Sequence, residues 1–163
     1  LPFVHLISPN LDELQAIANA LGIEEPGVPD LAISVAVHMS GKALAAGISP
    51  GNSTRRVLVT MGAGGVIVAT AANGGAHSNV ISVDPPGGAI TNMKNCTGAG
   101  DCLLGTTAAC MLRWPQLAVE DAVLAGMKAA KCTITSSEAV SPQLDGKWLQ
   151  SAVGLPALLV ERT

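Results

Sequence analysis

Residues 95–101 read Asn-Cys-Thr-Gly-Ala-Gly-Asp and lead directly into an apolar segment with helical spacing. Gly98 and Gly100 flank Ala99, and Asp101 follows at once, in what would be the first turn of the helix. Backbone N–H groups at such a turn point towards one spot, where the helix dipole also favours an anion. This pattern suits phosphoryl transfer, because Asp101 could accept the proton of an attacking hydroxyl while the three preceding amides hold the phosphoryl group.

Composition narrows the class of protein that could carry this motif. The 163 residues are 48% hydrophobic and 13% charged, which predicts one folded domain rather than a disordered chain. No uninterrupted apolar run reaches the length of about 18 residues that a membrane span needs. The apolar residues are therefore expected either in helices that pack on a buried parallel sheet or on a surface that a missing partner covers. A net charge of −3 and only three aromatic residues argue against a nucleic-acid partner.

The cysteines and the first residues bear on compartment and completeness. The four cysteines form no C-x-x-C pair and have no metal-ligand spacing with the histidines. We therefore expect reduced thiols and a cytoplasmic location. The chain begins Leu-Pro-Phe, within a predicted strand, which favours a fragment that forms a single partial domain over residues 1–163.

The elements that must position the motif follow from periodicity and turn residues. A helix over 11–21 ends before Gly22, and a second helix is capped by Asp30 and reaches about residue 46. The remaining predicted strands and helices cover 3–7, 56–61, 65–70, 78–83, 100–112, 118–135 and 143–153. Strands mixed with helices predict a three-layer α/β domain.

Asn10 and Glu13 stand where the first predicted strand gives way to a helix. One interpretation is a capping box, in which the two residues only begin the helix. The other is that they face the carboxyl end of the strand, where ligands of open α/β sheets collect, and organise a hydrated Mg²⁺. The sequence leaves both interpretations open.

Thr60 precedes a glycine-rich run that separates two β-branched segments. The run could be a simple hairpin, or Thr60 and the backbone from Gly62 to Gly65 could lie against nucleotide phosphate. It is not a dinucleotide fingerprint, because Ile67 stands where the last glycine should be.

Together, three motifs resemble those of the C-terminal half of ribokinase-like, pfkB-type carbohydrate kinases, and the resemblance covers residues 4–153. The motifs are Asn10-x-x-Glu13, Thr60-x-Gly62-x-x-Gly65 and Asn95-x-Thr97-Gly98-Ala99-Gly100-Asp101. The resemblance implies a ribokinase-like three-layer α/β/α fold from which the lid and the N-terminal sugar-binding half are absent. It also implies phosphotransfer from ATP, with Mg²⁺, to a primary hydroxyl of a sugar or nucleoside. A homodimer of the intact protein is a further expectation from the resemblance.

The resemblance assigns a role to each motif residue. Asp101 would be the general base, and Gly98, Ala99 and Gly100 would form the anion hole. Asn10 and Glu13 would serve the Mg²⁺–phosphate network. The implied nucleotide-binding residues are Thr60, Gly62, Gly65, Thr97, Met127 and Ala130. The last two lie on a helix that would flank the adenine, although a helical apolar stripe is also typical of a core.

Two further segments, 6–14 and 136–142, are similar to segments of pseudouridine kinases, which phosphorylate a primary hydroxyl of a C-nucleoside. Asn95 fits the same subfamily, whereas ribokinase usually carries Asp there. An uncharged amide weakens the case for activation by K⁺. The alternatives are another pfkB-type kinase acting on ribose, fructose or adenosine, and a non-catalytic nucleotide-binding fragment.

Overall fold

The structure is a computed structural model that describes residues 2–87, 90 and 92–154. It divides into two compact units, Leu1–Asp84 and Pro85–Thr163. Within the described ranges, no helix is both long enough and apolar enough to cross a membrane. The single partial domain over residues 1–163 stays a prediction.

The first unit is built on a four-stranded sheet in the order β1-β2-β3-β4. The strands are β1 (Leu6–Ile7), β2 (Arg55–Thr60), β3 (Val66–Ala72) and β4 (His77–Val83). Only β1 and β2 run parallel, while β2, β3 and β4 are successive antiparallel neighbours. The expected parallel sheet is therefore wrong for this unit, because short connections join β2 to β3 and β3 to β4, and such connections can only reverse the chain.

Strand β1 is shorter than the predicted strand over residues 3–7. Its pairing with β2 is confined to Leu6 opposite Arg56 and Ile7 opposite Val57. The preceding residue, His5, adds one hydrogen bond, because its carbonyl accepts from the Arg56 amide at 2.9 Å. The apolar run is longer than the strand, since the hydrophobicity of side chains does not determine where main-chain pairing ends.

Helices α1 (Leu11–Leu21) and α2 (Val28–Ala45) pack on one face of the sheet. Helix α1 has its predicted bounds and ends where Gly22 follows. Helix α2 begins earlier than predicted, after Gly27, so Asp30 lies inside its first turn and is not its cap. Pro29 explains the difference, because its fixed φ and missing N–H suit the first turn of a helix. The buried core between the helices and the sheet consists of Leu14, Ala18, Leu31, Ala32, Val35, Ala36, Met39, Val57, Val59, Ile67, Ala69 and Ala71.

Arg55 is a fully buried cation at the start of β2. Its guanidinium donates to the carbonyls of Asn52 at 2.9 Å, Thr54 at 2.8 Å and Pro2 at 2.6 Å. Desolvation by burial lowers the pKa of Arg55 from its ordinary value. The three carbonyl dipoles offset part of that desolvation, because a buried charge without hydrogen bonds is strongly destabilising.

The second unit contains α3 (Ala99–Arg113), α4 (Val119–Ile134) and α5 (Gly146–Val153). Its helices bury a small cluster of Cys110, Trp114, Ala122 and Ala125, against which Leu149 and Val153 of α5 pack. Helix α5 begins three residues later than predicted. Asp145 is the reason, because its carboxylate accepts from the Trp148 amide at 2.7 Å and so caps the helix.

Candidate functional site

Asn10 and Glu13 form a complete capping box at the start of α1. Asn10 Oδ1 accepts from the Glu13 amide, and Glu13 Oε2 accepts from the Asn10 amide, both at 2.9 Å. The capping interpretation is therefore confirmed. Both side chains are nevertheless exposed, and within the described residues nothing donates to the second carboxylate oxygen, Oε1. A capping role and an outward-facing ligand role are compatible.

Asn10 and Thr60 are neighbours in the first unit. The two residues form a parallel bridge, and the Thr60 amide donates to the Pro9 carbonyl at 3.0 Å. Thr60 is the last residue of β2, and Asn10 follows the parallel strand β1. The capping box and the glycine-rich run thus meet at the carboxyl edge of the parallel strand pair, which is where ligands of α/β sheets bind.

The glycine-rich run is a tight hairpin between β2 and β3. Residues Gly62–Gly64 form one turn of 3₁₀ helix, and the Met61 amide closes the loop on the Gly65 carbonyl at 2.9 Å. Gly65 has φ 86° and ψ −144°, a conformation that a side chain would oppose. The hairpin interpretation is confirmed. Contact of Thr60, Gly62 and Gly65 with a nucleotide stays a prediction.

A magnesium ion in the first unit would depend on one carboxylate. No three His, Cys, Asp or Glu side chains come together as a metal site in the part of the chain that the structure describes. Glu13, with one oxygen engaged in the capping box and the other facing out, fits an ion that keeps several waters and binds one or two carboxylates plus phosphate.

In the second unit, the N-terminus of α3 presents free backbone donors. The first helical hydrogen bond runs from the Cys102 amide to the Gly98 carbonyl at 2.9 Å, and the Ala99 amide donates to the Cys96 carbonyl at 3.3 Å. Among the described residues, none accepts from the amides of Gly98, Gly100 or Asp101. Free donors at a helix N-terminus, together with the helix dipole, are favourable for an anion, and binding of phosphate at this turn stays a prediction. The role of the Ala99 amide in an anion hole stays a prediction.

Asp101 is exposed in the first turn of α3. Its carboxylate makes no hydrogen bond with another described residue, and its role as a general base stays a prediction. Thr97, which precedes the helix, is also exposed, and its amide donates to Asn95 Oδ1 at 2.9 Å. This bond engages the side-chain oxygen of Asn95, whose lack of charge weakens the case for activation by K⁺.

Gly98 is the residue at which the motif tolerates no side chain. It has φ 79°, which favours glycine, and it precedes the first residue of α3. A Cβ at this position would overlap the backbone carbonyl oxygen of Ala139. The resemblance assigns this glycine to an anion hole, and the structure adds a packing reason for it, the close passage of another backbone segment.

Met127 and Ala130 lie on α4, as predicted. Met127 is only 7% exposed and Ala130 is half-buried. Contact of either residue with an adenine stays a prediction.

A groove on another face of α4 was missed by sequence reasoning. It has a volume of about 610 Å³ and is lined by Lys128, Lys131, Trp148 and small neighbouring residues. Lys128 Nζ donates to the Ala152 carbonyl at 2.7 Å, which leaves it two further donors. The spacing of the two lysines on one helical face was the available signal.

A comparison with models of known protein families identifies the family of this chain. The model of the family described as pfkB family carbohydrate kinase matches residues 1–145. The chain belongs to this family. No curated protein sequence matches the pfkB chain.

Solved structures agree on the fold of this pfkB chain. It resembles ribokinase of Thermotoga maritima at 20% identity and a TM-score of 0.56, over 92% of this chain and 42% of that one. Adenosine kinase of Anopheles gambiae matches at 21% identity and a TM-score of 0.60, over 96% and 38%. Phosphofructokinase-2 of Escherichia coli, solved with potassium, matches at 20% identity and a TM-score of 0.55, over 92% and 40%. The predicted mixed α/β, ribokinase-like fold is confirmed, and the chain spans about two fifths of the length of these kinases.

Proposed function

We propose that this chain is the nucleotide-binding and catalytic part of an enzyme that transfers phosphate from ATP to a hydroxyl of a sugar or nucleoside. The single observation that supports this most is the N-terminus of α3, where the unpaired amides of Gly98, Gly100 and Asp101 adjoin an exposed carboxylate. A module that only binds nucleotide needs the amides, but it does not need the base. Membership of the pfkB family supports the same reaction.

In the proposed reaction, the Asp101 carboxylate accepts the proton of the acceptor hydroxyl as its oxygen attacks the γ-phosphorus. The bond from that phosphorus to the bridging oxygen breaks, and ADP leaves. The free amides at the start of α3 hold the negative charge of the transferring group, as preorganised donors do in phosphoryl transfer. Mg²⁺ would supply charge neutralisation on the phosphates, and Glu13 is the carboxylate proposed to hold it through water.

The proposed acceptor is the primary hydroxyl of pseudouridine. This substrate is supported by segments 6–14 and 136–142, which are similar to those of pseudouridine kinases, and by Asn95 in place of an acidic residue. The solved kinases of similar fold act on different substrates, as their names ribokinase, adenosine kinase and phosphofructokinase state. Ribose, fructose and adenosine, the acceptors of the alternative pfkB-type kinases that the sequence left open, are the competing acceptors.

A substrate panel on the full-length enzyme tests this proposal. We expect ADP formation, with ATP and Mg²⁺ present, to be at least about tenfold faster in kcat/KM with pseudouridine than with uridine, ribose, fructose or adenosine, a difference equal to about 1.4 kcal/mol of transition-state binding. A preference for another acceptor would reject pseudouridine but keep the kinase. ATP binding without phosphotransfer to any acceptor would reject the enzyme altogether.

The proposed magnesium role of Glu13 can be separated from its capping role. Glu13→Gln keeps an acceptor at this position of a capping box, so we expect the free energy of unfolding to change by less than about 0.5 kcal/mol. Loss of the charge should raise the Mg²⁺ concentration for half-maximal activity at least about threefold. Asp12→Asn, an exposed neighbour outside the capping box, is the control. An unchanged Mg²⁺ requirement in Glu13→Gln would leave Glu13 as a cap only.

A further inference from the structure

The C-terminal end of α4 contacts the segment that leads into the catalytic motif. The carbonyl of Ile134 accepts hydrogen bonds from the amides of Lys94 at 2.9 Å and Asn95 at 3.3 Å. Ile134 is the last residue of α4. The entry to the motif is therefore attached to the end of this helix through main-chain atoms.

The residue before Ile134 connects the same helix end to two other places. Thr133 is fully buried, and its hydroxyl donates to Cys102 Sγ at 3.1 Å. The same oxygen accepts from the Ser141 amide at 3.4 Å. This buried hydroxyl thus uses its one donor and one of its two acceptor lone pairs, and a variant without it would leave the Ser141 amide unpaired.

The two partners of Thr133 belong to the two segments that adjoin Gly98 at the candidate anion site. Cys102 is in the first turn of α3 and directly follows Asp101. Ser141, only 4% exposed, ends the short stretch that begins at Ala139, whose carbonyl lies against Gly98. One hydroxyl therefore joins the first turn of α3 to the backbone segment that borders it.

We propose that Thr133 is a positioning residue, which holds the first turn of α3 and the 139–141 segment in the arrangement that phosphoryl transfer requires. The proposal rests on the proposed function, because it takes Asp101 and the free amides of α3 as the catalytic groups. Thr133 acts through Cys102 and Ser141 and touches no reacting atom. Misplacement of catalytic groups by a fraction of an ångström is costly in rate, while ground-state binding of substrates depends on it less.

The test compares Thr133→Val with Thr133→Ser in the full-length enzyme. Valine keeps the size and branching of threonine and removes the hydroxyl, whereas serine keeps the hydroxyl. We expect Thr133→Val to lower kcat about tenfold with both KM values within about twofold of wild type. Thr133→Ser should retain at least about a third of the wild-type kcat. Wild-type kcat in Thr133→Val, or equal losses of kcat in the two variants, would overturn the proposal.

A second variant removes the other end of the hydrogen bond. Cys102→Ala leaves the Thr133 hydroxyl in place without its sulfur acceptor, so kcat should fall in the same direction but by a smaller factor. This variant decides the question if Thr133→Val fails to fold, which circular dichroism would reveal. An unchanged kcat in Cys102→Ala would then contradict the proposal.

Alkylation of Cys102 gives a readout that needs no turnover. Cys102 is 8% exposed, and we expect its iodoacetamide rate, followed by peptide mass spectrometry, to rise at least about fivefold in Thr133→Val and to stay near wild type in Thr133→Ser. Cys110, fully buried and outside the network, is the internal control. A wild-type enzyme that transfers phosphate to no acceptor rejects the proposed function, whereas an unchanged Cys102 rate rejects the hydrogen-bond network itself.

Discussion

Asp101→Asn in the full-length enzyme is expected to lower kcat at least about 10²-fold and to leave the affinity for ATP nearly unchanged. The amide has the size of the carboxylate, so the first turn of α3 and its free N–H groups keep their geometry. It cannot accept a proton at neutral pH, so the attacking hydroxyl loses its base. Rapid-quench measurement of phosphoryl transfer and calorimetric titration with a non-hydrolysable ATP analogue separate the two effects.

The matched control for this variant lies at the corresponding position of the next helix. Asp101 is the third residue of α3, and Asp121 is the third residue of α4 and is likewise exposed. Each carboxylate interacts with its helix dipole, which is worth about 0.3–1 kcal/mol. Asp121→Asn should therefore reproduce the small loss of stability but none of the loss of rate. Wild-type turnover in Asp101→Asn would refute the general-base role.

Gly98→Ala is expected to have the largest structural effect among substitutions in the motif. A residue with a side chain at φ 79° costs about 1–2 kcal/mol, and here the added Cβ also overlaps the Ala139 carbonyl oxygen. Because that oxygen belongs to the main chain, it cannot move by a change of rotamer. We expect the free energy of unfolding to fall by at least about 2 kcal/mol, and kcat to fall at least about tenfold in the protein that remains folded.

Substitutions at two other glycines separate the cost of backbone strain from the cost of steric overlap. Gly22 has a similar φ of 67° with open space around its missing Cβ, so Gly22→Ala measures the backbone strain alone. Gly105 lies inside α3 and also has open space around its missing Cβ. Gly105→Ala should therefore raise the free energy of unfolding by about 0.5–1 kcal/mol. Urea unfolding of all three variants gives the comparison. If Gly98→Ala loses no more stability than Gly22→Ala, the 139–141 segment moves aside for the added methyl group, contrary to our expectation.

Local signals in the sequence predicted most of the helices, including the start of α3 close after Gly98. Helix α1 has its predicted bounds because a capping pair begins it and a glycine ends it, and both signals are local. The predicted start of α2 was wrong because Pro29 and Asp30 both favour a helix start, and local sequence does not show which of the two positions the helix uses. The amides of Gly98 and Gly100 have no acceptor among the described residues because they lie at the start of a helix, which is also a local feature.

Contacts between residues far apart in the chain were beyond the sequence. No local pattern indicates that Ala139 passes Gly98, or that the Thr133 hydroxyl reaches Cys102, since 41 and 31 residues separate the members of these pairs. Arg55 is a comparable case, because a cation at the start of a strand is usually exposed, and one of the three carbonyls that accept from its buried guanidinium, that of Pro2, is 53 residues away in the chain. Such contacts depend on how the elements pack, which periodicity does not describe.

The bridge between Asn10 and Thr60 has a consequence for how this part of the protein can vary among relatives. Main-chain hydrogen bonding sets the separation of these two residues, although most of the first unit lies between them in the chain. Surface stretches such as residues 46–51 could therefore gain or lose residues without moving one motif relative to the other. The number of residues between the two motifs is thus a poor criterion for finding distant homologues, and the strand ends that carry them are a better one.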